Sequence, residues 1–188
     1  MAAPTLDQAP LWYLTRSTGL TAFVLLTLAT ALGVAATQRG LAHPAWPRFA
    51  TQRLHRNLSL LALVFLGVHV VTTVLDGFVT ISGWSVIVPG ASAYRTLWVA
   101  LGTISFDLIL LVTASSLLRL RMSHTAWQRL HLTSYAMWPL AWLHYLKTGT
   151  DAAGLGLTVG IVCAGVIGAA AGFRILTDNS PTPVASVR

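Results

Sequence analysis

Long apolar stretches separated by short polar, basic connections set the pattern of this chain. Five such stretches reach the roughly twenty residues that cross a bilayer core of about 30 Å. They predict helices over residues 18–37, 55–76, 96–118, 131–147 and 153–174. Two of them interrupt the apolar run in the same way. In "LHRNLSLLALVFLGVHVV" (Leu54 to Val71), His55 and His69 stand fourteen residues apart. In "LHLTSYAMWPLAWLHYL" (Leu130 to Leu146), His131 and His144 stand thirteen apart.

Composition supports the membrane reading. Of 188 residues, 55% are hydrophobic and 9% charged, against about a quarter charged in an ordinary soluble domain. The expectation is an all-α membrane protein, a bundle of about five transmembrane helices. Residues 1–176 form a single bundle domain and 177–188 a flexible, Pro/Ser-bearing cytoplasmic tail. No cleaved leader is expected, because the opening "MAAPTLDQAPLWYL" carries Asp7 and no basic n-region. The lone cysteine, Cys163, allows neither an intramolecular disulfide nor a Cys-x-x-Cys-His haem attachment.

The net charge of +7 suggests a nucleic-acid partner only until the basic residues are placed. Arg39, Arg48, Arg53, Arg56, Arg119, Arg121, Arg129, Arg174 and Arg188 fall on one side of the predicted membrane; Arg16, Arg95 and Lys147 fall on the other. Cytoplasmic loops carry the excess of arginine and lysine, so the N-terminus is expected outside and the C-terminus in the cytoplasm. No nucleic-acid partner is expected; membrane lipid is. The connection from Asp76 to Tyr94 is apolar for a loop. It fits either an outer-surface segment, with Trp84 and Tyr94 at headgroup level, or an ordinary packed loop.

The second and fourth predicted helices run in the same direction. His55 and His131 therefore share the cytoplasmic level, and His69 and His144 the outer level, about 20 Å away at 1.5 Å per residue. Neutral imidazoles facing one another in pairs are the ligand set of bis-histidine haem iron. Two pairs predict two haems b, bound without covalent attachment. Zinc is disfavoured, since ligands split across about 20 Å cannot close one tetrahedral site. Fourteen residues return to within about 40° of the same helix face, whereas thirteen miss by roughly 140°. Pro139, between His131 and His144, is the expected site of a realigning kink or overwinding.

Other residues suit supporting roles, each with a plainer alternative. Arg53, Arg56 and Arg129 flank the inner level, and Arg95 with Tyr94 the outer; all fit haem propionates as well as lipid headgroups. Phe65, Phe106 and Trp138 lie at middle depth, either between the haems or as ordinary packing. Asp107 sits midway along the third helix, where an acid costs about 2.5–3.5 kcal/mol. A structural hydrogen bond is expected there, with a proton-coupled role as the alternative. His43 and His124 read as solvated loop histidines.

The segments "LHRNLSLLALVFLGVH" and "WQRLHLTSYAMWPLAWLH" resemble the ferric reductase-like transmembrane domain, the membrane domain of the NADPH oxidase and ferric reductase superfamily. In detail they look like its small, stand-alone actinobacterial type. The resemblance implies an inner haem between His55 and His131 and an outer one between His69 and His144. It also implies electron transfer across the cytoplasmic membrane of a bacterium. No G-x-G-x-x-G follows a strand here, so FAD and NAD(P)H are expected only through a partner. That partner is a cytoplasmic flavoprotein or other redox protein, with ferric iron as one possible outer acceptor. Two alternatives stay open: a quinol-linked cytochrome b subunit of a larger complex, and a non-catalytic haem-binding or sensing membrane protein.

Overall fold

A computed structural model describes residues 9–36, 48–77, 79–149 and 154–178. All regular structure among them is helical. The α-helices are α1 (Ala9–Ala36), α2 (Arg48–Leu75), α3 (Thr96–Leu117), α4 (His124–Leu132), α5 (Ser134–Thr148) and α6 (Leu155–Asp178). The pair α4–α5 is one broken helix, which gives the expected five-helix bundle. Four helices, α1, α2, α3 and α6, are long and apolar enough to cross a membrane. The chain is a membrane protein.

Helix limits depart from expectation where polar turns extend apolar cores. α1 starts at Ala9 rather than residue 18. Ser17 and Thr18 fold their hydroxyls back onto the Leu14 carbonyl instead of interrupting the helix. α2 starts at Arg48 rather than residue 55, in a turn whose arginines and glutamine are helix formers. At 28 residues each, α1 and α2 are about 42 Å long and overrun the apolar slab. α6 continues to Asp178, past the expected domain limit at residue 176. The rest of the proposed tail, 179–188, and His43 lie outside the described residues.

α1 is the central helix. It packs on α2 along its length and also meets α5 and α6, while α3 packs on α5. Thr18, Ala22, Phe23, Leu26, Thr27, Ala29 and Val34 of α1 are all buried, mostly three or four residues apart. The core between the two histidine levels is aromatic. Trp138 stacks on Phe23 at 6.0 Å and on Trp142 at 6.2 Å, and Phe23 stacks on Tyr145 at 4.8 Å. Thr27, 1% exposed, accepts the Trp138 indole N–H at 2.9 Å and donates to the Phe23 carbonyl.

The realignment of the broken helix occurs at Thr133, not at Pro139. Thr133 (φ −63°, ψ −18°) donates its N–H to Leu130 three residues back, a tighter turn than the α-helix makes. Pro139 lies inside α5. Its missing N–H and its steric demand act on the preceding turn, towards Tyr135, where α5 begins.

Between α2 and α3 the connection is packed at one point and open at another. The buried Ser85 gives its carbonyl to Thr103 of α3 at 2.7 Å, while Trp84 is 74% exposed.

Candidate functional site

The four histidines expected to act in pairs do come together in pairs. His55 of α2 and His131 of α4 face each other with ring centres 6.3 Å apart and planes inclined by 68°. His69 of α2 and His144 of α5 line one cavity of about 640 Å³. α2 and the α4–α5 pair therefore run parallel, with one histidine pair at each level.

Three of the imidazoles are held identically. His55 Nδ1 lies 2.8 Å from the Ala29 carbonyl, His69 Nδ1 2.8 Å from Thr15, and His144 Nδ1 2.8 Å from Trp98. A carbonyl only accepts, so each Nδ1 carries the proton and each Nε2 keeps its lone pair. This is the orientation that metal-ligating histidines receive from their surroundings. The three carbonyls are all but spent on their own helices, and they are reachable because glycine stands one turn further on.

Those glycines are Gly33, Gly19 and Gly102. A Cβ at Gly102 would lie 2.5 Å from His144 Nδ1, and one at Gly19 would lie 2.7 Å from His69 Nδ1. At Gly33 the nearest ring atom, His55 Cε1, would be at 3.2 Å. Sequence reasoning missed all three. The signal was present: Gly19 and Gly33 are fourteen residues apart on α1, the spacing of His55 and His69 on the antiparallel α2.

His131 differs. Its Nδ1 is buried and has no hydrogen-bond partner among the described residues. Trp127, one turn earlier, stacks on its ring at 5.1 Å.

The residues fit haem on two observations. Imidazoles binding one metal from opposite sides place their ring centres about 6 Å apart, given metal–nitrogen bonds of about 2.0–2.1 Å; the inner pair stands at 6.3 Å. The outer pair opens on a cavity of a size that takes a cofactor. Among the described residues no three or more His, Cys, Asp or Glu gather as a metal cluster. The donor sets are pairs.

The supporting residues are rearranged. Arg53, Arg56 and Arg129 are exposed, and Arg53 lies over the Phe49 ring. Arg95 does not line the outer cavity. It takes a left-handed conformation (φ 41°) at the start of α3 and donates to the Lys147 carbonyl at the end of α5. The basic residue that does line the cavity is Arg16, held over the Trp12 ring at 4.4 Å, with Tyr94 also on the wall. Phe106 lines the outer cavity; Phe65 does not, and Phe23 takes the mid-depth place beside Trp138. Asp107 is half-buried and makes no hydrogen bond to another described residue, so the structural bond expected of it is missing. His124 is exposed, as expected, but opens α4 rather than lying in a loop.

Comparison with protein-family models, with curated proteins and with solved structures found no match.

Proposed function

We propose that this chain is a di-haem b-type cytochrome, ferric reductase-like, that carries electrons across the cytoplasmic membrane of a bacterium. The observation that carries the reading is the repeated docking of imidazoles. Histidines are paired at two levels, and three of the four are locked by a backbone carbonyl into the tautomer that leaves Nε2 free. A merely structural histidine has no need of a paired partner at 6.3 Å.

In this reading His55 and His131 would hold the inner haem and His69 and His144 the outer. Haem supplies reversible one-electron chemistry that no side chain here provides. The protein's part is orientation and insulation. Thr15, Ala29 and Trp98 fix ring direction through their carbonyls, and Gly19, Gly33 and Gly102 let the rings approach. Phe23 and Trp138 fill the space between the levels and exclude water. Arg16 and Tyr94 offer donors to acidic groups at the outer level, where Arg95 is committed to Lys147. The basic end of the bundle, with Arg53, Arg56, Arg119, Arg121 and Arg129, faces the cytoplasm. With haem bound there, a separate flavoprotein or other redox partner at that end would be the electron donor, and ferric iron one possible outer acceptor.

A quinol-linked subunit is the second reading, favoured by a groove between α1, α5 and α6. It has a volume of about 420 Å³, and Val34, Tyr135, Trp138 and Ile167 line it. The Arg174 guanidinium donates to the Tyr135 hydroxyl at 3.0 Å on its wall. Reduction of the purified protein by a quinol analogue alone would select this donor.

The test of the main reading is haem per purified chain, with dithionite-reduced minus oxidised spectra. Two b-type haems per chain are expected. None, after expression with ample haem, would end it.

A further inference from the structure

Asp107 lacks the hydrogen bond expected of it, and it stands on the outward side of α3. It lies twelve residues from Arg95 and twelve from Arg119, about 18 Å from each along the helix, and so near the middle of the membrane. α3 turns its other side to the bundle. Gly102 lies against the His144 ring, and Ser105 donates to the Met137 carbonyl of α5 at 3.0 Å. At about 100° per residue, those positions stand about 140° and 160° round the helix from Asp107. Asp107 lines neither the outer cavity nor the groove between α1, α5 and α6. At this depth lipid offers its carboxyl no hydrogen bond.

The residues around Asp107 make a seam. Ala100, Ile104, Asp107, Leu111 and Ala114 follow one another at alternating steps of four and three, and each is exposed or half-buried. They fall within about 40° of one line along the helix. This is the repeat by which two parallel helices pack side by side, and an alanine near each end lets the backbones approach. A polar group in the middle of such a seam is one that lipid leaves unsatisfied and a second helix satisfies.

A second copy of the chain supplies that helix. Copies in one membrane point the same way, so a two-fold axis beside α3 brings two identical seams together in parallel, with Asp107 meeting Asp107 at the same depth. A carboxyl that keeps its proton both donates and accepts, so two of them bond to each other. The seam carries no second charged residue that would select a basic partner.

We propose that the protein is a two-fold dimer through α3, closed at mid-membrane by Asp107 from each copy. The contact uses the side of α3 turned away from His144. It stands or falls independently of the two-haem reading.

The experiment is cysteine cross-linking of the full-length chain in native membranes, with the buried Cys163 replaced by alanine. Ile104→Cys and Ala114→Cys test the seam; Leu110→Cys tests an exposed position about 80° from it. Oxidation with copper phenanthroline is expected to give disulfide-linked dimers at the two seam positions and at least about tenfold less at Leu110, because a disulfide needs its two Cα atoms within about 7 Å. Sedimentation equilibrium in detergent then measures the part played by the carboxyl. Asp107→Leu is expected to weaken the dimer at least about tenfold, whereas Asp107→Asn, which keeps a donor and an acceptor, retains it. Neither substitution removes a hydrogen bond to another described residue.

No linked dimer at either seam position overturns the proposal, as does equal linking at Leu110. So does an Asp107→Leu dimer as strong as the wild type. Loss of the dimer in Asp107→Asn, or links to a different protein, overturns it in favour of a basic partner helix. If a variant at Asp107 does not fold, cross-linking in the chain that retains Asp107 decides.

Discussion

The two ends of the bundle solve the same problem with different means. At the cavity end, His69 and His144 are each pinned to a carbonyl and each lies against a glycine so closely that a methyl group would collide. At the basic end, His55 is pinned with more room, and the His131 Nδ1 has no hydrogen-bond partner among the described residues. Both ends present paired imidazoles, so pairing alone does not define a site. The difference lies in the backbone behind the rings, which decides how rigidly each Nε2 is aimed.

The comparison breaks most visibly if the pairs are removed singly. Histidine-to-alanine at His69 or His144 is expected to take haem content from two per chain to one, and His55→Ala likewise. A pyridine haemochrome assay in which every variant loses both haems would mean the levels are not independent.

Next in size is the glycine cradle. Gly102→Ala places a Cβ 2.5 Å from His144 Nδ1, so the ring must shift and the bond to Trp98 is lost. Outer-haem affinity is expected to fall roughly 10–100-fold, read by transfer of haem to an apo-protein acceptor. Gly33→Ala sharpens the contrast. Its Cβ would meet His55 at 3.2 Å, a contact that a shift of a few tenths of an ångström relieves, and two haems per chain are expected to remain.

The smallest effect on haem should come from the region the two ends share. Thr27→Val strands the buried Trp138 indole N–H, which now bonds to the Thr27 hydroxyl at 2.9 Å. A loss of about 1–3 kcal/mol in stability is expected, seen as earlier unfolding in detergent, with both haems retained. A selective loss of one haem would show that the aromatic core belongs to that site rather than to the whole bundle.

Much of this architecture was legible along the chain because membrane helices announce themselves by length and apolarity. The windows around residues 18–37 and 55–76 located α1 and α2, yet both starts were placed too late. Hydropathy falls in a turn that holds Arg16 or Arg53, but the backbone still bonds to itself there. The spacing of His55 and His69 showed a shared face. That of His131 and His144 contradicted one until the tight turn at Thr133 rotated α5 against α4. Arg95 was expected to serve the outer level, and Arg16 lies on the same side of the membrane. Only packing shows that Arg95 is spent on Lys147 while Arg16 stands on the cavity wall.

The sequence by itself determined the membrane class, the number of helices and the shared level of each histidine pair. Those follow from periodicity and from the rise per residue, which are properties of one helix at a time. The tertiary structure alone decided which carbonyl receives each imidazole and where the missing Cβ matters. Such contacts join residues as distant as Thr15 and His69, and they depend on the register of one helix against another. A single helix carries no information about that register until its neighbour is in place.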